Sequence, residues 1–304
     1  VDFRVATEQE GQLVALFMLE LGRKNEINLT AVHFSDAGAD EGRLTFLDVG
    51  CNGCHNNAGA NSRGGPNNIG NVNRNFNTNV EAARNAGLSG FPLDGGFGAD
   101  QENPDGSFGD GEFNSTPLIE AADTGPFFHT DTTISGAPAF NAASAETIEQ
   151  ATAFYATDTF GNRPGGNGPL DMDANDIENI GRFLRATNAV FNIQMAIARL
   201  RGAQGVGNEF GNDELDVQRR ILDLALIEIE DAIEVLQGAP GGTINPAQVG
   251  RLNNARGLTM GAIATNSVNA RMNQIGMAIN RLDLADTTIS ANINFDIGDG
   301  TLMD

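Results

Sequence analysis

Five consecutive residues, Cys51-Asn52-Gly53-Cys54-His55, hold both cysteines of a 304-residue chain. Two thiols three positions apart with an imidazole immediately after them is the pattern of covalent c-type haem attachment. The thiols form thioethers to one porphyrin, and the histidine next to them comes up beneath its iron. A structural zinc site would need four ligands, usually Cys or His, and the remaining histidines are only His33 and His129. A dithiol redox pair would want a βαβ context, which the flanking sequence lacks. The motif therefore implies one haem c, tethered by Cys51 and Cys54, with His55 as the proximal iron ligand.

An iron held from below by His55 has a second axial position, and four residues compete for it: His33, His129, Met172 and Tyr155. His33 stands between two apolar residues, Val32 and Phe34, the setting of a packed core histidine. Met172 follows the glycine-rich stretch 161–168 and lies between two aspartates. His129 closes the segment Thr124-Gly-Pro-Phe-Phe-His129, where it suits a ligand, a distal acid/base or a haem-propionate partner. Tyr155 is the only tyrosine in the chain. On an amphipathic helix a tyrosine is most often buried for packing. The residues alone leave the choice open.

The elements that must position these groups are helical. Thr7-Glu-Gln-Glu10 reads as a capping box opening a helix with Leu13, Leu16, Phe17 and Leu21 on one face, stopped by Gly22. A second helix, from about 35 to 47, delivers the chain to the cysteines. Residues 56–115 are dominated by Asn, Gly and Asp, which predicts long loop. Within it, the stretch from Asp94 to Glu112 is rich in oxygen ligands but lacks EF-hand spacing. Thr147-Ile-Glu-Gln150 is another capping box, starting a helix with Ile148, Ala151 and Tyr155 on one face. Asp173 caps a third helix with Ile177, Ile180, Phe183 and Leu184 inward. From about residue 189 the composition changes. Leu215, Leu222, Ile229 and Leu236 then recur every seven residues, with Leu226 and Ile233 between them. Gly238-Ala-Pro-Gly-Gly242 interrupts this stripe, and Val268, Met272, Ile275, Ile279 and Leu282 resume it. Such stripes need partners, either each other or a second subunit. The expected fold is mainly α: a cytochrome c-like haem domain with long Asn/Gly-rich loops over residues 1–188, then an antiparallel helical bundle over 189–304 for packing or oligomerisation.

Charge narrows the partners. Lys and Arg number 18 against 40 Asp and Glu, a formal net charge of −22. Nucleic acid is excluded as a partner on that balance, and a redox protein with a cationic docking surface is favoured. No run approaches the roughly 18 apolar residues of a membrane span. Haem c is attached outside the cytoplasmic membrane, and Val1 opens the chain without a basic, apolar leader, which fits a mature exported form. The expected location is periplasmic or extracellular.

The stretches LGRKNEINL, FSDAGADEGRLTFLDVGCNGCH, TGPFFH and TIEQATAFY, with the helix from Asp173, resemble the second, C-terminal haem domain of the di-haem cytochrome c peroxidase / MauG superfamily. The resemblance runs from about Leu13 to Thr187. It implies that the helix TIEQATAFY supplies the sixth ligand at its end, which falls on Tyr155. The peroxidase members carry Met at that position and the MauG-type enzyme carries Tyr. The resemblance also implies calcium ligation by the carbonyls of Thr124 and Pro126. The chain departs from the family in having one haem motif instead of two, Ile119 where an Arg is usual, and no tryptophan.

With both axial positions filled by His55 and Tyr155, peroxide has nowhere to bind, and an anionic phenolate favours ferric iron. The leading expectation is an electron-transfer or redox-relay cytochrome. A mono-haem peroxidase with a displaceable Tyr155 and His129 as distal acid/base is the alternative. A haem-bearing structural or assembly subunit, held to its copies by the heptad helices, is the third.

Overall fold

A computed structural model of the chain describes residues 26–59, 61–62, 72–73, 75–80, 112–125, 127–128 and 144–295. The helix expected after Thr7 and most of the Asn/Gly-rich stretch lie outside the described residues, as do His129 and Pro126. Within them the chain is mainly helical, as expected.

The first helix, α1 (Ala37–Asp48), is capped by Asp36, whose side chain accepts from the Ala39 amide. The same carboxylate takes two hydrogen bonds from Arg182, at 3.0 and 2.6 Å. Burial alone would raise the Asp36 pKa, but the bonds from Arg182 and Ala39 outweigh it and hold the carboxyl below its ordinary range. The local cap thus also fastens α1 to a helix 146 residues further on. Two short helices follow, α2 (Ile148–Phe154) and α3 (Asp158–Gly161), and then the much longer α4 (Ala174–Phe210). Asp173 caps α4 in a reciprocal capping box with Asp176.

Helix α4 has 37 residues, about 55 Å of rod at the usual rise per residue. Its first part packs on α1, where the Gly42 backbone meets the Asn179 carbonyl too closely for any Cβ to fit. Its remainder packs on α5 (Leu215–Gln237) and α7 (Val268–Ile289), and the circuit is closed by α6 (Pro246–Ala264), which lies against both α5 and α7. Short connections make successive neighbours antiparallel. The heptad stripes find their partners within this four-helix bundle, since Leu222, Ile229, Leu236, Ile275, Ile279 and Leu282 are all buried.

The compositional change at residues 188 and 189 is not a break in structure. Helix α4 runs through it, and the main hydrophobic cluster draws on residues from Ile27 to Phe295, with a smaller one around Val80, Phe154 and Phe160. What changes there is the neighbour of α4, from α1 and α2 to the bundle. The ends of the described chain are also tied together: strand β1 (His33–Phe34) pairs antiparallel with β8 (Ser290–Ala291). The other strands form two-residue pairs: β2 (Asn61–Ser62) with β3 (Val72–Asn73), β4 (Asn75–Phe76) with β5 (Phe113–Asn114), and β6 (Phe127–Phe128) with β7 (Ser144–Ala145).

Beyond β8 the chain is held by Gln194 of α4. Its amide nitrogen donates to both carboxylate oxygens of Asp286, at 3.2 Å each, and to the Ile293 carbonyl at 3.0 Å. Its oxygen accepts from the Phe295 amide. Burial, with the neighbouring Asp283, lifts the Asp286 pKa from 3.8 to about 7 against the opposing bond from Gln194. Between those two values the folded chain keeps a proton that the unfolded chain has lost. Stability from this group therefore falls as pH rises from about 4 to about 7, and stays level above. Asp286→Asn is expected to remove that slope and to be more stable than wild type at pH 8. Thermal melts of both proteins from pH 4.5 to 8 check this; equal slopes would reject it.

Candidate haem-binding cavity

Helix α1 ends at Asp48, and Gly50 turns the chain with φ +92°, a left-handed conformation that suits glycine. The motif then coils tightly, the amides of Cys54 and His55 both donating to the Cys51 carbonyl at 3.2 and 3.0 Å. A distant segment clasps it. Ser115 Oγ donates to the Cys54 carbonyl at 2.8 Å, and the Leu118 amide donates to the Ala58 carbonyl at 2.8 Å.

The orientation of His55 is set by the same segment. Its Nδ1 lies 2.9 Å from the Thr116 carbonyl. A carbonyl can only accept, so Nδ1 carries the proton and Nε2 keeps its lone pair. This is the arrangement by which a backbone carbonyl fixes the tautomer and aim of a metal-binding imidazole. Burial also lowers the His55 pKa, which favours the neutral, ligating form.

The two thiols are free and half-buried. Burial pushes Cys51 up to about 12, and it raises Cys54 as well, against the pull of the Arg163 guanidinium. Reactive dithiols need a depressed thiol pKa. This pair has the reverse and does not suit disulfide exchange.

Tyr155 lines the same cavity as these thiols. Helix α2 starts at Thr147, which accepts from the Gln150 amide, and ends with Tyr155 as its C-cap. The phenol ring is wedged among Phe160, Phe154 and Phe128, with centroids 4.9, 5.5 and 6.4 Å away. Its carbonyl receives the Leu170 amide at 2.9 Å. Burial and the nearby Cys51 and Cys54 push the phenol well above its ordinary value, so the group is neutral until a cation faces it. Among the described residues the hydroxyl donates to no other group.

Cys51, Cys54, His55, Tyr155 and Met172 all line one cavity of about 990 Å³. Its walls are mainly apolar, with Phe46, Ile119, Phe127, Ile148 and Leu184 among them. That size stands at the upper end of the roughly 300–1,000 Å³ usual for cofactor pockets. Two free thiols, an imidazole with its lone pair available and a phenol, set around an apolar chamber, fit a tethered porphyrin. Arg163 also lines it, lying 3.8 Å over the Phe160 ring and donating to the Phe160 carbonyl at 3.0 Å. Neither Arg163 nor Thr116 was legible beforehand: both sit in loops, and the Thr116 contact joins residues 61 apart in sequence.

Of the other ligand candidates, His33 is not in the cavity. Its neighbours Val32 and Phe34 are buried, while its own side chain is 71% exposed and lies 3.6 Å from Asp40. The expectation of a packed core histidine is corrected: on a strand alternate side chains take opposite faces, and His33 takes the outer one. Thr124 lies exposed at the cavity rim. Among the described residues no group of three or more His, Cys, Asp or Glu is placed to hold a metal ion. No helix there is long and apolar enough to cross a membrane.

No family model matches the chain, and neither a characterised protein nor a solved structure does.

Proposed function

We propose that this chain is an exported, mono-haem c-type cytochrome of the cytochrome c peroxidase/MauG type, carrying electrons through an iron held by His55 and Tyr155. The observation behind the reading is the single apolar cavity that gathers Cys51, Cys54, His55 and Tyr155. Haem bound there supplies a centre that takes up and releases one electron. The rest belongs to the chain. Cys51 and Cys54 hold the macrocycle by thioether bonds, so it stays in place in either oxidation state. His55 is aimed by Thr116. Tyr155 offers a hard oxygen that favours the ferric state, and it closes the position that peroxide would need. The phenylalanine cage around Tyr155 excludes water and fixes the ring. The resemblance of TGPFFH and TIEQATAFY to the superfamily supports the same assignment.

The experiment is expression with a c-type maturation system outside the cytoplasm. One haem per chain is expected by pyridine haemochrome, surviving denaturing electrophoresis. Cys51→Ser/Cys54→Ser is expected to lose the covalent haem entirely while keeping its helical circular dichroism. A wild-type chain that matures without haem would overturn the reading.

A further inference from the structure

Helix α5 turns an apolar stripe inward, yet Leu224 and Ile227 stand 48% and 51% exposed on its outer side. Positions 224, 227, 228 and 231 follow the i, i+3, i+4, i+7 spacing that puts residues on one helix face. Glu228 and Asp231 therefore share a face with these two apolar side chains. From Asp223 onward the helix carries five carboxylates, at 223, 228, 230, 231 and 234, and no Lys or Arg. Three of them crowd the C-terminal end, where the helix dipole is already negative and a cation would be stabilised. The one ion pair recorded for this group is Arg199 with Glu228, at 2.6 Å.

The face leads to the cavity. Helix α5 packs against the short turn 121–123, and Glu120, just before that turn, lines the cavity. Burial raises the carboxyls of Glu120, Glu228 and Asp231; Asp123 adds to all three, Glu228 adds to Glu120, and Glu230 and Glu234 add to Asp231. Arg199 pulls Glu228 and Asp231 the other way and offsets only part of this negative field.

We infer that the outer face of α5, centred on Leu224 and Ile227, docks a basic redox protein, one with cationic side chains around an exposed apolar patch. The inference rests on the electron-carrying reading and deepens it by placing the partner. A small apolar centre in a charged rim is what a transient electron-transfer encounter uses, at the low end of interface size. The negative rim steers the partner and the two apolar side chains hold it. The reduced partner then gives one electron to the ferric site, and both proteins part with their bonds unchanged.

The test uses the full haem-loaded chain and a lysine-rich small cytochrome c as probe, with electron transfer followed by stopped flow and binding by calorimetry. Glu230→Gln/Asp231→Asn/Glu234→Gln is expected to slow electron transfer about tenfold at low salt, and the difference is expected to vanish at high salt. Leu224→Ala/Ile227→Ala is expected to weaken binding with the salt dependence kept. Glu209→Gln/Asp213→Asn/Glu214→Gln removes the same charge elsewhere and is expected to change the rate less than about twofold. Equal effects of the two charge triples, or none from either α5 variant, would overturn the docking face. Binding that depends on α5 without any electron transfer would leave the face standing and sink the electron-carrying reading instead.

Discussion

Tyr155→Phe is expected to convert a low-spin ferric protein into a high-spin one. The substitution deletes only the phenolic oxygen. The ring that remains keeps its contacts with Phe160, Phe154 and Phe128, at 4.9, 5.5 and 6.4 Å, so α2 and the cavity wall should hold. In the proposed His55/Tyr155 site the lost oxygen would be the sixth ligand, and a vacated axial position weakens the ligand field enough to change the spin state. Three readouts should move together. Electron paramagnetic resonance should change from low-spin to high-spin signals, cyanide should bind at once, and the reduction potential should rise by on the order of 0.1 V, a fraction of the range that axial ligation spans. Met172 lines the same cavity, so Met172→Leu is the needed comparison and should leave the wild-type spectrum intact. If Met172→Leu produces the high-spin form and Tyr155→Phe does not, the ligand is the methionine. A wild type already high-spin, binding cyanide quickly and turning over peroxide, would favour the peroxidase alternative, with His129 the next residue to substitute.

Tyr155 also shows what could be read without coordinates. The thiol and imidazole spacing at 51–55 is the pattern that porphyrin attachment asks for, and reading it needed no fold. Tyr155 was singled out only through the resemblance of TIEQATAFY to the superfamily, with Thr147 marking the start of its helix. Side chains that support them could not be found this way. The carbonyl of Thr116 that orients His55 carries no residue-type signal at all, because any amino acid presents one. Helix α6 escaped for a different reason. Its buried positions are Gln248, Val249, Leu252, Ala255, Thr259 and Ala262, so the inward face is mostly small or polar, and Val249 and Leu252 alone make no apolar stripe. Its one local signal was Pro246 at the first turn. The length of α4 was hidden similarly, because Asn188, Asn192 and Gln194 are buried where an apolar stripe would be sought. Asn188 and Asn192 both donate to Asp123, and Gln194 holds Asp286 and the chain end.

The bundle depends on a buried cation in the same way, and Arg271→Ala is expected to cost about 3–5 kcal/mol of stability. Arg271 lies in the first turn of α7 with no exposed surface. Its Nε donates to Gln218 Oε1 at 2.5 Å, Nη1 to the Thr265 carbonyl at 3.1 Å, and Nη2 to the Gly211 carbonyl at 3.3 Å and Asn212 Oδ1 at 2.8 Å. Every recorded acceptor is neutral. Burial lowers the Arg271 pKa, as does the neighbouring Arg219, yet guanidinium remains charged at any physiological pH. Its countercharge is the backbone. Gly211 closes α4 and Thr265 closes α6, and helix C-termini carry unpaired carbonyls and the negative end of the dipole. Gln218 extends the arrangement by donating to the Ala203 carbonyl at 2.7 Å. One side chain therefore satisfies the ends of two helices from the start of a third. Removing it leaves the buried Gln218 oxygen and the partly buried carbonyls of Gly211 and Thr265 without this donor, each buried acceptor costing about 1–3 kcal/mol before relaxation, together with the emptied volume. Arg271→Lys restores the charge but not the fork, and should recover less than half of the loss. Urea titrations followed by circular dichroism measure both. A loss below about 1 kcal/mol for Arg271→Ala, or full recovery by lysine, would mean that water or the general field, and not the directed hydrogen bonds, satisfies these helix ends.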